Sequence, residues 1–135
     1  MKYAIGLTIL LVFTIFLVSN HARAIANLTK IEMSEEDKIA KSLRNVKEIC
    51  IGINAYAADN DGNLPQELRE IKDYINDYSK VSKCPISGEM YRYSYEYKSL
   101  MDKDYLANPV IYSAKFDGGI IKGYLDAHVV HELSK

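Results

Sequence analysis

Residues 39–65 read IAKSLRNVKEICIGINAYAADNDGNLP, and the fold turns on how this stretch is periodic and where it stops. Ile39, Leu43, Val46, Cys50, Ile53 and Ala57 recur at spacings of 4, 3, 4, 3 and 4. Such spacing lays one apolar stripe along a helix, with Lys38, Lys41, Arg44, Lys47 and Glu48 off it. Ile49 and Tyr56 widen the stripe toward the C-terminal half. That half should be buried more deeply, leaving the first half freer for another partner.

The boundaries are also written in the residues. Ser34 can cap the start, and Glu35, Glu36 and Asp37 face the positive end of the helix dipole. Asn60, Asp61, Gly62 and Asn63 end the helix, because Gly and Asn accept the left-handed conformation and Pro65 cannot extend it. From Pro65, the apolar series Leu64, Leu68, Ile71, Ile75 and Tyr78 predicts a second, shorter amphipathic helix. A loop through Ser82, Cys84, Pro85 and Gly88 follows.

After Gly88 the period falls from 3.6 to 2. MYRYSYEY (90–97) alternates Tyr91, Tyr93, Tyr95 and Tyr97 with Arg92, Ser94 and Glu96, placing four phenols on one face of a strand. The four phenols on that face should pack mostly as core against the helix stripe. PVIYSAKF, Asp117-Gly118 and GIIKGYLDAHVVHEL read as a hairpin with a two-residue turn. Residues 127–133 form a last strand or extend the one before, and residues 98–108 carry no assignable pattern. Helices first and antiparallel strands afterwards make residues 25–135 one α+β domain, with a helix covering a small sheet.

The chain has 135 residues, enough for one small core plus an export segment. A net charge of −1 with no Lys/Arg cluster excludes a nucleic-acid surface. Eleven Tyr against three Phe and no Trp suit strands and half-wet surfaces. Residues 1–24 differ from the rest: Lys2 precedes an uncharged run from Ala4 to Val18, and the first acid is Glu32. The run is an export signal or a membrane anchor. Its helix would be about 22 Å long against a hydrocarbon core of roughly 30 Å, and Ala22-Arg23-Ala24 supplies the small-x-small pattern of signal-peptidase cleavage. A helix continuing through Ser19 and Asn20 can still span with modest mismatch. Both readings put residues 25–135 outside the cytoplasm, facing the periplasm or cell exterior.

Cys50 and Cys84 would there close a loop worth roughly 3–4 kcal/mol, or remain two buried thiols. No CxxC spacing suggests redox or zinc chemistry. Asp59, Asp61 and Asn63 occupy the first three ligand positions of a calcium loop, with Glu70 at the twelfth. Leu64 stands where that loop requires Gly, and helix capping explains the same residues without a metal. Asp126 and His128 fall on one face of a strand and His131 on the other. An oriented imidazole begins an acid–base site, but no motif supplies a nucleophile. No catalytic, cofactor or metal residue is therefore assigned.

Three segments resemble the pilin family, specifically pseudopilin-like proteins with an H-X9-DG type C-terminal region. LRNVKEICIGINAYAADNDGNLPQEL (43–68) is similar to the pilin helix ending in a Tyr-containing turn, Asp-Gly and Leu-Pro. CPISGEMYRYSYEY resembles the Cys-Pro loop leading into a Tyr-Ser-Tyr strand, and GYLDAHVVHEL the closing strand, with Ala127 in place of Gly. Phe116 stands where the motif places its His. Gly6 to Leu11 is similar to the prepilin cleavage pattern, with Gly6 before the cut and Leu11 in place of Glu. The resemblance implies a pilin-like domain behind an N-terminal hydrophobic helix. Its function would be non-enzymatic: assembly or binding, as an accessory part of a type II secretion or type IV pilus-like system. Its partners would be the membrane, through residues 4–18, and other pilin-like subunits or secretion-system proteins. A second reading is a secreted binding module released by cleavage after Ala24. A small hydrolase using Asp126 and His128 is a third.

Overall fold

A computed structural model describes residues 32–100 and 108–134. The segment at 4–18, read above as signal or anchor, lies outside them. No helix among the described residues is long and apolar enough to cross a membrane.

Helix α1 spans Glu35–Asp59, as the stripe predicts. Ser34 Oγ accepts the Asp37 amide at 3.1 Å, and three acids fill the first turn. At the far end Gly62 N donates to Ala57 O at 2.8 Å. Asp61 (φ 55°) and Gly62 (φ 81°) both adopt the left-handed conformation. Burial begins at Ser42 and deepens along the helix, with Val46, Ile49, Cys50, Ile53 and Ala57 fully covered. The first two turns stay exposed or half-buried.

The second helix differs from expectation. Leu68–Tyr74 is a 3-10 helix, η1, and Tyr78–Val81 a single α-turn, α2. The three-residue pitch of η1 eclipses Leu68 with Ile71, so both point into the core. Extended Ile75 and left-handed Asp77 then interrupt any longer helix. Ile75 remains buried because Gly52 leaves room: a Cβ on Gly52 would stand 2.9 Å from Ile75 Cγ1. The apolar face is the one the spacing predicts, whereas the helical type differs.

Strands β1 (Arg92–Tyr93), β2 (Ile111–Tyr112), β3 (Ile120–Gly123) and β4 (Val129–Glu132) form an antiparallel meander in the order β1-β2-β3-β4. Asp117 and Gly118 make the expected two-residue turn, closed by reciprocal bonds between Phe116 and Gly119 of 2.9 and 2.8 Å. Tyr112 pairs with Lys122, but Phe116 pairs with Gly119, so the β2 side carries one extra residue, a bulge between Tyr112 and Phe116. Residues 129–132 form a separate last strand.

Helix α1 lies across β2, β3 and β4, most closely against β3, while η1 and α2 flank it. Ile111, Ile121 and Leu125 meet the seam from the sheet side, and Leu68, Ile71 and Ile75 close it from the flank. The tyrosines of the alternating stretch are mostly core, since Tyr91 lies in it and Tyr93 and Tyr97 pack against it. Tyr91 is 4% exposed and Tyr93 half-buried, whereas Tyr95 is 40% exposed and Tyr97 half-buried. Strand β1 is only two residues long, so beyond Tyr93 the chain leaves the sheet, and the Tyr95 ring meets water while Tyr97 still packs against the core.

Candidate functional site

A concavity rich in polar and aromatic side chains stands where α1 ends. A cleft of about 450 Å³ is lined by Tyr56, Asp59, Asp61, Asn63, Glu70 and Tyr95, among others. The left-handed pair Asp61-Gly62 reverses the chain here. Leu64 N then donates to Lys98 O and Leu100 N to Gly62 O, both at 2.9 Å. These bonds bring the segment after β1 against the loop that ends α1.

Two acids at this cleft, Asp59 and Glu70, are held by the protein's own donors. Tyr74 OH donates to Asp59 Oδ2 at 3.0 Å, and that bond raises the phenol's pKa above its ordinary value. The Tyr74 ring meets Tyr56 edge to face, centroids 5.9 Å apart. Glu70 Oε2 accepts the Gln66 amide at 2.7 Å and so closes the entry to η1. Three of the four calcium-loop residues thus have structural partners: Asp59 turns to Tyr74, Glu70 to Gln66, and Asn63 Nδ2 donates to Asn60 O at 2.9 Å. Among the described residues no three His, Cys, Asp or Glu side chains converge as a metal would require. What the cleft offers is aromatic faces beside carboxylate and amide oxygens, a surface for polar contact. Tyr74 and Lys98 belong to this neighbourhood, yet nothing in their local sequence marks them. They arrive by chain reversal.

Asp126 and His128 do come together, in the turn between β3 and β4. His128 Nδ1 lies 2.5 Å from Asp126 Oδ1, which also accepts the His128 amide at 3.0 Å. Backbone and side-chain bonds from His128 hold the Asp126 carboxyl below the usual carboxylate range. The imidazole stacks on Tyr124 with centroids 3.9 Å apart. Tyr124 N donates to His128 O and Ala127 N to Tyr124 O, which makes a three-residue hairpin loop with left-handed Ala127 (φ 63°). The carboxylate therefore works as a turn former, bonding an amide two residues on. His131 points elsewhere: its Nε2 lies 2.9 Å from Gly118 O and its ring stacks on Phe116.

Cys50 and Cys84 are both free and buried. Cys84 Sγ lies 3.5 Å from Ser42 Oγ. Ser42 precedes Cys50 by eight residues, about 12 Å of helix, whereas a bridge needs Cα atoms within roughly 7 Å. Burial pushes the Cys50 thiol up to about 12. Burial opposes ionisation of Cys84 too, but hydrogen bonds from Ser42, Ser87 and the Ile86 backbone outweigh it and hold that thiol below its ordinary value. The Ser42 hydroxyl also lies 2.6 Å from Tyr91 OH, tying α1 to the approach of β1.

Comparison with protein-family models finds no match, and comparisons with curated proteins and solved structures find none either.

Proposed function

We propose that this chain is a non-enzymatic, extracytoplasmic pilin-like protein, working in assembly or binding as an accessory part of a type II secretion or type IV pilus-like system. One observation carries the reading. A 25-residue helix lays its buried second half across an antiparallel meander, while its first two turns stay exposed or half-buried, downstream in the sequence of the uncharged run at 4–18. A helix whose first two turns are at most half-buried has surface left for a neighbouring subunit. The run at 4–18 supplies a membrane anchor, and the cleft below α1 supplies a polar contact surface. The site geometry favours binding over catalysis, since the Asp126 carboxylate and the His128 ring are both engaged in shaping a turn.

The second reading, a secreted binding module, draws on Ala22-Arg23-Ala24 and on an apolar run too short to span unaided. Mass spectrometry of the mature protein separates the two. A terminus at Leu7 or an intact Met1 in the membrane fraction supports the anchored protein. A terminus at Ile25 in the soluble fraction replaces it with the secreted one. The hydrolase reading has its own test: Asp126→Asn with His128→Ala should leave every measurable phenotype unchanged.

A further inference from the structure

We infer that β4 is a self-pairing edge, through which two copies of this chain join antiparallel about a two-fold axis at His131. Strand parity decides which backbone groups of β4 face outward. Tyr124 N bonds His128 O, and Lys122 pairs with Val130 and Ile120 with Glu132. In an antiparallel ladder bonded pairs alternate with non-bonded ones, so Val130 and Glu132 direct their amides and carbonyls at β3. Val129, His131 and Leu133 turn theirs outward. No strand follows β4 in the sheet among the described residues.

The two edges of the sheet are treated differently. Strand β1 is two residues long and carries Arg92. Its approach is occupied as well: Tyr91 N donates to Ser82 O at 3.0 Å, and Met90 bridges Lys83. The other edge is less protected: residues 129–134 contain neither Pro nor Lys, and the one carboxylate there, Glu132, is paired with Lys122. It also exposes apolar groups, with Val130 39% and Leu133 70% accessible.

The order of side chains identifies a second copy as the occupant. With the axis at His131, Val129 of each chain faces Leu133 of the other, and Val130 faces Glu132. Both copies thereby cover their exposed Leu133. Each Glu132 already pairs with Lys122 of its own chain, so no uncompensated charge opposes the union. The His131 rings are drawn back onto Phe116 and Gly118 O, which leaves the axis to backbone bonds. Moving the axis one residue to Glu132 would instead set two Glu132 side chains directly opposite. The inference does not depend on how the chain is anchored.

Cysteine pairing in the full-length protein, purified in detergent, tests the register. Positions 130 and 132 become a non-bonded cross-strand pair, where side chains approach closely enough for a disulfide. Under mild oxidation Val130→Cys/Glu132→Cys should give a covalent dimer as the main species. Val130→Cys alone and the unaltered chain, whose own thiols are buried, should give little. Leu133→Pro removes one outward amide without touching the β3 ladder, and added to the double variant it should reduce the yield several-fold. Both cysteine positions are exposed, and a far-UV circular dichroism spectrum confirms that each variant is folded. A folded double variant that yields no more dimer than Val130→Cys alone overturns the proposal. So does a yield that Leu133→Pro leaves unchanged.

Discussion

Gly123 of β3 passes so close beneath α1 that a Cβ placed there would stand 2.8 Å from Cys50 Sγ, and closer still to Val46. The helix can settle onto the sheet only because this position has no side chain. Gly123→Ala should therefore force α1 outward and lower the unfolding free energy by about 1–3 kcal/mol, an overpacking cost. Urea denaturation followed by circular dichroism measures it. An unchanged midpoint would show that the helix does not rest where it is described.

The β3–β4 turn gives a prediction of opposite sign. Ala127 holds φ 63°, a conformation that costs a residue with a Cβ roughly 1–2 kcal/mol. Glycine there removes that cost while adding some freedom to the unfolded chain. Ala127→Gly should raise stability by about 0.5–1 kcal/mol net. Ala127→Val should lower it, and the two melting temperatures should fall on either side of the parent's.

Ser42, Tyr91 and Cys84 form one buried polar cluster. Ser42→Ala removes the short bond to the Tyr91 hydroxyl, which keeps a longer one of 3.3 Å to Ser42 O, and should cost about 1–3 kcal/mol. Tyr91→Phe removes the other partner. The double variant should be less destabilised than the sum of the two, with a coupling on the order of 1 kcal/mol in a double-mutant cycle. Strict additivity would mean that the two hydroxyls do not interact.

Alkaline pH should unfold the protein by a route that involves Cys50. Its thiol titrates near 9.0 when exposed and is pushed up to about 12 when buried in the fold. The raised value means that its contribution is complete below pH 9 and is lost as pH rises toward 12, where the unfolded chain has already ionised. Tyr91 and Tyr93, raised chiefly by burial, add to the same fall at higher pH. Cys84, whose value is lowered, acts with the opposite sign. Stability measured by urea titration at successive pH values should therefore decline above pH 9, and Cys50→Ala should flatten the first part of that decline.

Calcium provides a further check on the loop that ends α1. Because Asp59 and Glu70 are turned to Tyr74 and Gln66, millimolar calcium should leave the melting temperature where a chelator leaves it. A rise with calcium would show that these carboxylates exchange their protein donors for an ion.

Elements with a long period were legible in the residues, and those shaped by distant contacts were not. Helix α1 declared itself through its stripe, the Ser34 cap and the Asp61-Gly62 stop, since all three act within a few turns of chain. The Asp117-Gly118 turn was equally local. The second helix was misread because α and 3-10 spacings both bury Leu68 and Ile71, and the choice depends on Gly52 and Ile75, which meet only in the fold. Asp126 and His128 were found as a pair, but their placement in a turn follows from left-handed Ala127, a conformation that alanine does not announce. The cleft draws Tyr56 and Tyr95 from separate segments, with Tyr74 beside it on Asp59, and no spacing rule links them.

The alternation of tyrosines around β1 has one more consequence. A repeat of Tyr at every second position is ambiguous, because sliding the strand by two residues would return a phenol to each place and cost almost nothing in hydrophobic contact. The hydroxyls remove that ambiguity. Tyr91 reaches Ser42, Tyr93 donates to Pro65 O at 2.8 Å, and Tyr97 accepts from Asn108. The repeat thus behaves like a key whose teeth are cut alike but whose tips differ, and only one insertion depth lets every tip find its ward.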